Sequence, residues 1–261
     1  MIFQTGNCEV YYEFSGSVEG DPLLFLHGAL GSLEEFAQLR NAFQNRSCLF
    51  VDFPSHGRST QIATAPTTSV LAHLSLDLLQ HLGIGHVDII GYSLGGYVAL
   101  EMALHRPQIV ASIISHAMKF FWTEEAIRAS TNALDWEAIS RNDRRRQRLE
   151  SIHTIAGAEE AVKMSRELIE SFRHQKLTLD DLKHLQSPLL LSVGDQDELL
   201  PLEEILQLYK GLGYESTSLA IHPATRHPIH LLDPDLFSTS AHQFWAANSV
   251  TTKHEHANRT R

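Results

Sequence analysis

Short apolar runs alternate along this chain with longer stretches in which apolar residues recur every three or four positions. Residues 10–14, Val-Tyr-Tyr-Glu-Phe, are aromatic and β-branched, as a strand requires. Residues 23–26, 48–51, 87–90, 109–114 and 189–193 are short and largely apolar, the pattern of strands buried on both faces. Between them, 33–43, 69–82 and 94–105 carry helical periodicity. Strands alternating with helices predict an α/β fold, a mostly parallel sheet covered by helices on both faces. The rhythm breaks between about 116 and 186. That stretch holds no buried strand pattern and reads as helices, for example 124–134 and 158–172. An all-helical insertion predicts a cap, packed as a lid rather than as a sheet layer. The expected organisation is a core from 1–117 and 185–247, a helical cap over 118–184 and a loose tail at 248–261, where the sequence is polar and aperiodic.

Composition narrows the picture. With 261 residues, 43% hydrophobic and 20% charged, the chain can bury one large core. A formal charge of −10, from 31 acids against 21 bases, repels phosphate backbones and argues against a nucleic-acid partner. No apolar run approaches the roughly 20 residues of a membrane span. The opening Met1-Ile2-Phe3-Gln4-Thr5-Gly6 lacks the basic and apolar regions of a secretory signal. Cys8 and Cys48 are too few for a disulfide scaffold. The expectation is a cytoplasmic protein, monomer or dimer, acting on a small molecule without membrane or nucleic acid.

The sharpest chemical signal is Gly91-Tyr92-Ser93-Leu94-Gly95, which follows one apolar run and opens a helical pattern. Turning directly from strand into helix forces the serine into a strained conformation and brings the two chain arms together. Glycines two before and two after relieve the collision, and Ser93 projects from the tip.

In these features the chain resembles the α/β-hydrolase superfamily, over residues from about 8 to 247. His27-Gly28-Ala29 is similar to the family's oxyanion loop, and residues 52–59, Asp-Phe-Pro-Ser-His-Gly-Arg-Ser, to its D-x-P-G-H-G-x-S turn with Ser55 in place of glycine. Gly194-Asp195-Gln196-Asp197 resembles the acid loop, and residues 225–230 the histidine loop, with Arg226 replacing a glycine. Arg226 is expected to narrow the pocket mouth or to place a positive charge beside the base. The resemblance implies Ser93 as nucleophile, His227 as base and Asp197 as the carboxylate that fixes the imidazole. Asp195 and Glu198 stay open as alternatives for the acid. The developing oxyanion would be met by the backbone N–H groups of Ala29 and Leu94. No cofactor is needed for such chemistry.

Other residues have plainer readings. His222, His227 and His230 lack the helical carboxylate–histidine motif of a zinc enzyme, so no metal is expected. His27 and His56 read as hydrogen-bonded structural histidines. The arginines at 141, 144, 145, 146 and 148 read as a solvated cap face, against a grip on an anion or lipid. Phe120, Phe121 and Trp122 open the insertion and are expected to line the pocket, and Lys119 to reach it. The function implied is a cofactor-free serine hydrolase cleaving a small ester, thioester or lactone through an acyl-enzyme on Ser93. The alternatives are a carbon–carbon bond hydrolase of aromatic degradation and a non-catalytic small-molecule receptor. Serine at the elbow argues against dehalogenase and epoxide hydrolase relatives, which use a carboxylate there. Tyr97 stands where menaquinone-pathway synthase relatives usually carry arginine, which argues against that chemistry.

Overall fold

A computed structural model describes residues 1–6, 8–17, 20–213 and 217–259, with side chains as far as Asn248. Its strands are β1 (Ile2–Thr5), β2 (Cys8–Gly16), β3 (Leu23–Leu26), β4 (Ser47–Val51), β5 (Val87–Tyr92), β6 (Val110–His116), β7 (Leu189–Gly194) and β8 (Thr217–His222). Among the described residues they form one eight-stranded sheet in the order β1-β2-β4-β3-β5-β6-β7-β8. The β1–β2 and β2–β4 pairs are antiparallel and the others parallel.

Alternation along the strands sorts the core into two layers. Leu24 and Leu26 of β3, with Leu49 and Val51 of β4, face one apolar cluster. Their neighbours Leu23, Phe25, Cys48 and Phe50 face the other. This is the two-residue period of a strand buried on both sides. Helices α2 (Thr68–His81) and α3 (Leu94–His105) cover the first face. The short α1 (Ala37–Ala42) and α10 (Pro234–Arg259) cover the second, where Phe43 and Phe237 meet edge to face at 6.4 Å. Thr67 caps α2 by accepting from the Val70 N–H at 3.1 Å. Leu202–Leu212 form α9 beside the last strands.

Between β6 and β7 the described chain forms only helices: α4 (Glu124–Ala133), α5 (Trp136–Ser140), α6 (Asp143–Ile152), α7 (Ala158–Ser171) and α8 (Leu179–Leu182). They are more than a lid. Ile127, Leu149, Val162, Leu168 and Phe172 belong to the same apolar cluster as Leu24, Leu26, Tyr97 and Val98 of the sheet and α3. The tail expected to be loose from 248 instead continues α10 to Arg259. After Pro234, which suits a helix's first turn, no glycine or proline interrupts it. Two strands escape the apolar pattern. β1 is four residues long, and β8 is an edge strand whose side chains are mostly half exposed.

A shared core has a measurable consequence. Excising 118–184 and bridging the ends should give aggregated protein without a cooperative unfolding transition, because it strips the cover from an apolar face. A soluble, cooperatively unfolding product would show that the helices are a separable layer. The milder Leu168→Ala, at a fully buried site, should lower the unfolding free energy by about 2–5 kcal/mol, read from urea titration.

Candidate active site

The loops after β3, β5, β6, β7 and β8 meet at the carboxyl edge of the parallel strands, the usual place for ligands in an open α/β sheet. Ser93 sits between β5 and α3 with φ 50° and ψ −115°, and its N–H donates to the His116 carbonyl at 2.8 Å. Close approach explains the flanking glycines. A Cβ on Gly91 would lie 2.4 Å from the Gly95 carbonyl oxygen, and one on Gly95 only 2.0 Å from that of Leu26. Neither glycine can be replaced without moving backbone.

His227 is placed by the loop after β8. Its Nδ1 lies 2.8 Å from Asp197 Oδ2 and 3.0 Å from Oδ1. The Asp197 carboxylate is 1% exposed and also accepts the Leu199 and Leu200 N–H groups at 2.9 and 2.8 Å. Asp195 instead accepts from the Thr225 N–H at 3.3 Å, a turn-capping role. Glu198 accepts from the His227 N–H at 3.1 Å and pairs with Arg226 at 3.0 Å. Of the three acids, Asp197 alone meets the imidazole among the described residues. Arg226 is thereby neutralised by Glu198 and stays outside the cavity wall. Ser55 sits in the left-handed region that favours glycine, at φ 62°.

Ser93 and His227 line one cavity of about 490 Å³. Among the described residues, neither Ser93 Oγ nor His227 Nε2 has a hydrogen-bond partner, so both are available to a ligand. Ala29 and Leu94 lie on the same wall. The loop's other amides are engaged: Gly28 N–H donates to Glu35 at 3.3 Å, Leu30 N–H to Ser165 Oγ at 3.3 Å, and Gly31 N–H to the Gly28 carbonyl at 3.1 Å. The Ala29 N–H alone in this run has no partner among the described residues.

Trp122 lines the cavity and stacks on Phe172, 4.5 Å between centroids. Phe120 and Phe121 do not line it. Phe120 is buried and stacks on Tyr97 of α3 at 6.0 Å, while the Phe121 N–H donates to Glu204 at 3.3 Å. The chain turns at Ala117, φ 54°, and sends the Phe120 ring into the core, with Phe121 half-buried against it. Lys119 reaches the cavity, paired with Glu204 at 2.6 Å. Of the arginine group, Arg145 lines the cavity, Arg141 pairs with Glu137, and Arg146 pairs with Asp143 at 3.0 Å. His222 bonds Ser192, while His230 is exposed, so these histidines do not converge on one point. The sequence reading missed the wall formed by Ala126, Ala129, Ser130 and Ala133 of α4. Their i, i+3, i+4, i+7 spacing of small residues was a legible sign of a helix face leaving space.

Beneath this site lies a layer of buried, neutral imidazoles. Ser192 Oγ bridges His116 Nδ1 and His222 Nε2, each at 2.9 Å. Burial holds His116 down to about 3, His153 to about 3 and His56 to about 4, and also lowers His27 and His222. Burial acts oppositely on carboxyls. It raises Asp52 to about 6, and Glu35, enclosed against Gly28 and Gly31, to about 7.

With this geometry established, comparison places the chain. The family profile described as the alpha/beta hydrolase fold matches residues 21–154, and the chain belongs to that family. It is 36% identical over 110 residues to the zebrafish (Danio rerio) sn-1-specific diacylglycerol lipase ABHD11, covering 40% of this chain and 33% of the relative. It is 35% identical over 92 residues to the 2-succinyl-6-hydroxy-2,4-cyclohexadiene-1-carboxylate synthase of Escherichia coli O1:K1, covering 35% and 36%. The chain therefore spans about a third of these curated relatives. The crystal structure of MGS-M2, an alpha/beta hydrolase enzyme from a Medee basin deep-sea metagenome library, superposes with a TM-score of 0.78 at 21% identity, over 94% of this chain and 97% of that one. Among the described residues, no helix is long and apolar enough to cross a membrane.

The imidazole layer predicts acid sensitivity. A histidine depressed in the folded state contributes stability above its unfolded pKa of about 6.5, lost as pH falls toward the folded value. Raised carboxyls work the other way, stabilising at low pH and losing this as pH rises through about 6 to 7. Five depressed imidazoles outnumber two raised carboxyls. The urea midpoint should therefore rise between pH 5 and pH 7. An equal or higher midpoint at pH 5 would contradict the neutral assignment.

Proposed function

We propose that this protein is a serine hydrolase that cleaves a small, largely apolar ester, thioester or lactone without a cofactor. One observation carries the reading: Ser93 on its strained turn shares a cavity with His227, whose far nitrogen is held by the buried carboxylate of Asp197. In the proposed mechanism His227 Nε2 takes the Ser93 proton as Oγ attacks the substrate carbonyl carbon. Asp197 fixes the tautomer through Nδ1–H and stabilises the imidazolium without itself taking the proton. The carbonyl π electrons move to oxygen, and the Ala29 and Leu94 N–H groups receive that charge. Collapse of the tetrahedral species expels the alcohol, thiol or hydroxyl, which is protonated by His227. Water activated by His227 then cleaves the acyl-enzyme.

The lining supports an apolar acyl group. Leu30, Leu94, Trp122, Leu134, Ile169 and Phe172 form much of the wall, and the α4 alanines leave it room. Tyr97, in the position where the synthase relatives usually carry arginine, is a neutral phenol that accepts the Leu177 N–H. That favours hydrolysis of a neutral acyl compound over the synthase chemistry. The substrate is a small molecule, and the arrangement needs neither metal nor nucleic acid.

A fluorophosphonate probe should label wild type on Ser93, located by peptide mass spectrometry. Ser93→Ala should abolish labelling and lower kcat/KM on short aryl esters by about 10⁴ or more. No labelling of wild type, with no turnover across acyl lengths, would favour a receptor instead. For the acid, Asp197→Asn should cost on the order of 10³–10⁴ in kcat and Asp195→Asn less than about 10-fold. The reverse ranking would move the role to Asp195.

A further inference from the structure

The planar peptide that carries the Ala29 N–H is fixed from its other side. The Gly28 carbonyl accepts the His27 Nδ1–H at 2.7 Å and the Gly31 N–H at 3.1 Å. In a trans peptide the carbonyl and N–H point in opposite directions, so fixing Gly28 O aims the Ala29 N–H. The next residue, Leu30, is held in the left-handed region at φ 57°, where a branched side chain is unfavourable. Something outside the loop must keep it there.

Both polar groups of Leu30 end on the helical insertion. Its N–H donates to Ser165 Oγ of α7 at 3.3 Å, and its carbonyl accepts from His153 Nε2, just after α6, at 3.2 Å. Neither partner has another arrangement to adopt. The Pro54 carbonyl accepts the His56 Nδ1–H at 2.9 Å, which leaves His56 Nε2 to accept the Ser165 hydroxyl at 2.9 Å. The Gly57 N–H donates to His153 Nδ1 at 3.0 Å, which leaves Nε2–H for Leu30. Gly57 O accepts the Thr154 N–H at 3.0 Å, closing the contact. His56, His153 and Ser165 are each at most 2% exposed, so water does not compete.

We infer that the helical insertion holds the oxyanion loop in its working conformation through Leu30, with Ser165 and His153 as positioning residues for the Ala29 N–H. This rests on the serine hydrolase reading above. Removing either contact lets Leu30 leave the left-handed region and swings the donor off the developing oxyanion. Ground-state binding, made mostly by wall residues other than Leu30 (Leu94, Trp122, Leu134, Ile169 and Phe172), changes little.

Three variants test it: Ser165→Ala, His153→Asn and His153→Gln. Asparagine keeps an acceptor near the Nδ1 position but cannot reach Leu30, whereas glutamine keeps a donor near Nε2. On an ester turned over by wild type, Ser165→Ala and His153→Asn should each lower kcat about 10-fold, with KM within about twofold. His153→Gln should retain most of kcat. Affinity for an alkyl boronic acid, which mimics the tetrahedral species, should fall in parallel with kcat. Exchange of the Leu30 amide hydrogen, followed by NMR, should accelerate in Ser165→Ala whatever the activity. A purely structural role would lower the urea midpoint with kcat and boronate affinity unchanged, and that result overturns the inference. Equal kcat for the Asn and Gln variants would overturn the His153 part. If wild type neither turns over esters nor is labelled at Ser93, the hydrolase reading falls and the positioning role falls with it. Faster Leu30 exchange alone would then leave only a structural clamp.

Discussion

The distance between the start of α3 and the end of β3 governs this molecule. A chain that passes from strand to helix with one residue at φ 50° must fold back on itself, and α3 then begins against the Leu26 carbonyl. That contact tolerates no Cβ at Gly95, and the bend itself tolerates none at Gly91. The same approach sets the His27–Gly31 loop beside Ser93, so Ser93 and Ala29 open onto one cavity. Strain of this kind, on the order of 1–3 kcal/mol at a residue, survives only when surrounding packing over-determines it. Here that packing is Leu26, Val98 and Tyr97 within one apolar cluster.

Around the bend, polar groups are buried, and His27, His56 and His153 take the tautomers that neighbouring backbone groups demand. The Phe53 N–H donates to His27 Nε2 at 2.9 Å, so Nδ1 carries the proton that reaches Gly28. Asp52 accepts the Leu33 and Arg58 N–H groups at 2.7 and 2.9 Å and ties the loop after β4 to the one after β3. Neutral histidines suit this layer because His27, His56 and His153 each donate through one ring nitrogen and accept through the other, whereas a charged group there would need an equally buried counter-ion. A layer of this kind holds loops of different strands in register, at the expense of tolerance to acid.

Much of this was legible in the sequence, for identifiable reasons. Strands β3, β4 and β7 are buried on both faces and read as nearly continuous apolar runs, and β5 and β6 keep that character with a few polar residues between the apolar ones. Gly91 and Gly95 announced the bend because only glycine meets its steric demand. Asp197 came from the resemblance of the loop at 194–197, with Asp195 and Glu198 left open. It is the one of the three whose carboxylate meets the His227 imidazole, while Asp195 accepts from the Thr225 N–H. What failed did so where tertiary context decides. Phe120 and Phe121 are aromatic residues beside the site, but backbone direction after Ala117 turns Phe120 into the core and leaves Phe121 half-buried against it, outside the cavity wall. Polarity suggested a loose end at 248, yet a helix with no breaker runs on. No local pattern encodes that His153 and Ser165 meet Leu30, more than a hundred residues earlier in the chain.

Those last contacts bear on how specificity can diverge on this fold. Ser165 and Ile169 lie at i and i+4 on α7, and Phe172, the residue that caps its end in helical conformation, continues the same face at i+7. Ile169 and Phe172 form cavity wall, while Ser165 holds Leu30. A substitution that reshapes the wall by shifting α7 therefore also pulls on the loop behind Ala29. The α4 face built from Ala126, Ala129, Ser130 and Ala133 has no such attachment among the described residues. Enlarging those residues shortens the cavity without touching the loop. On the hydrolase reading, acyl length is free to change through α4, whereas changes through α7 alter substrate choice and rate together.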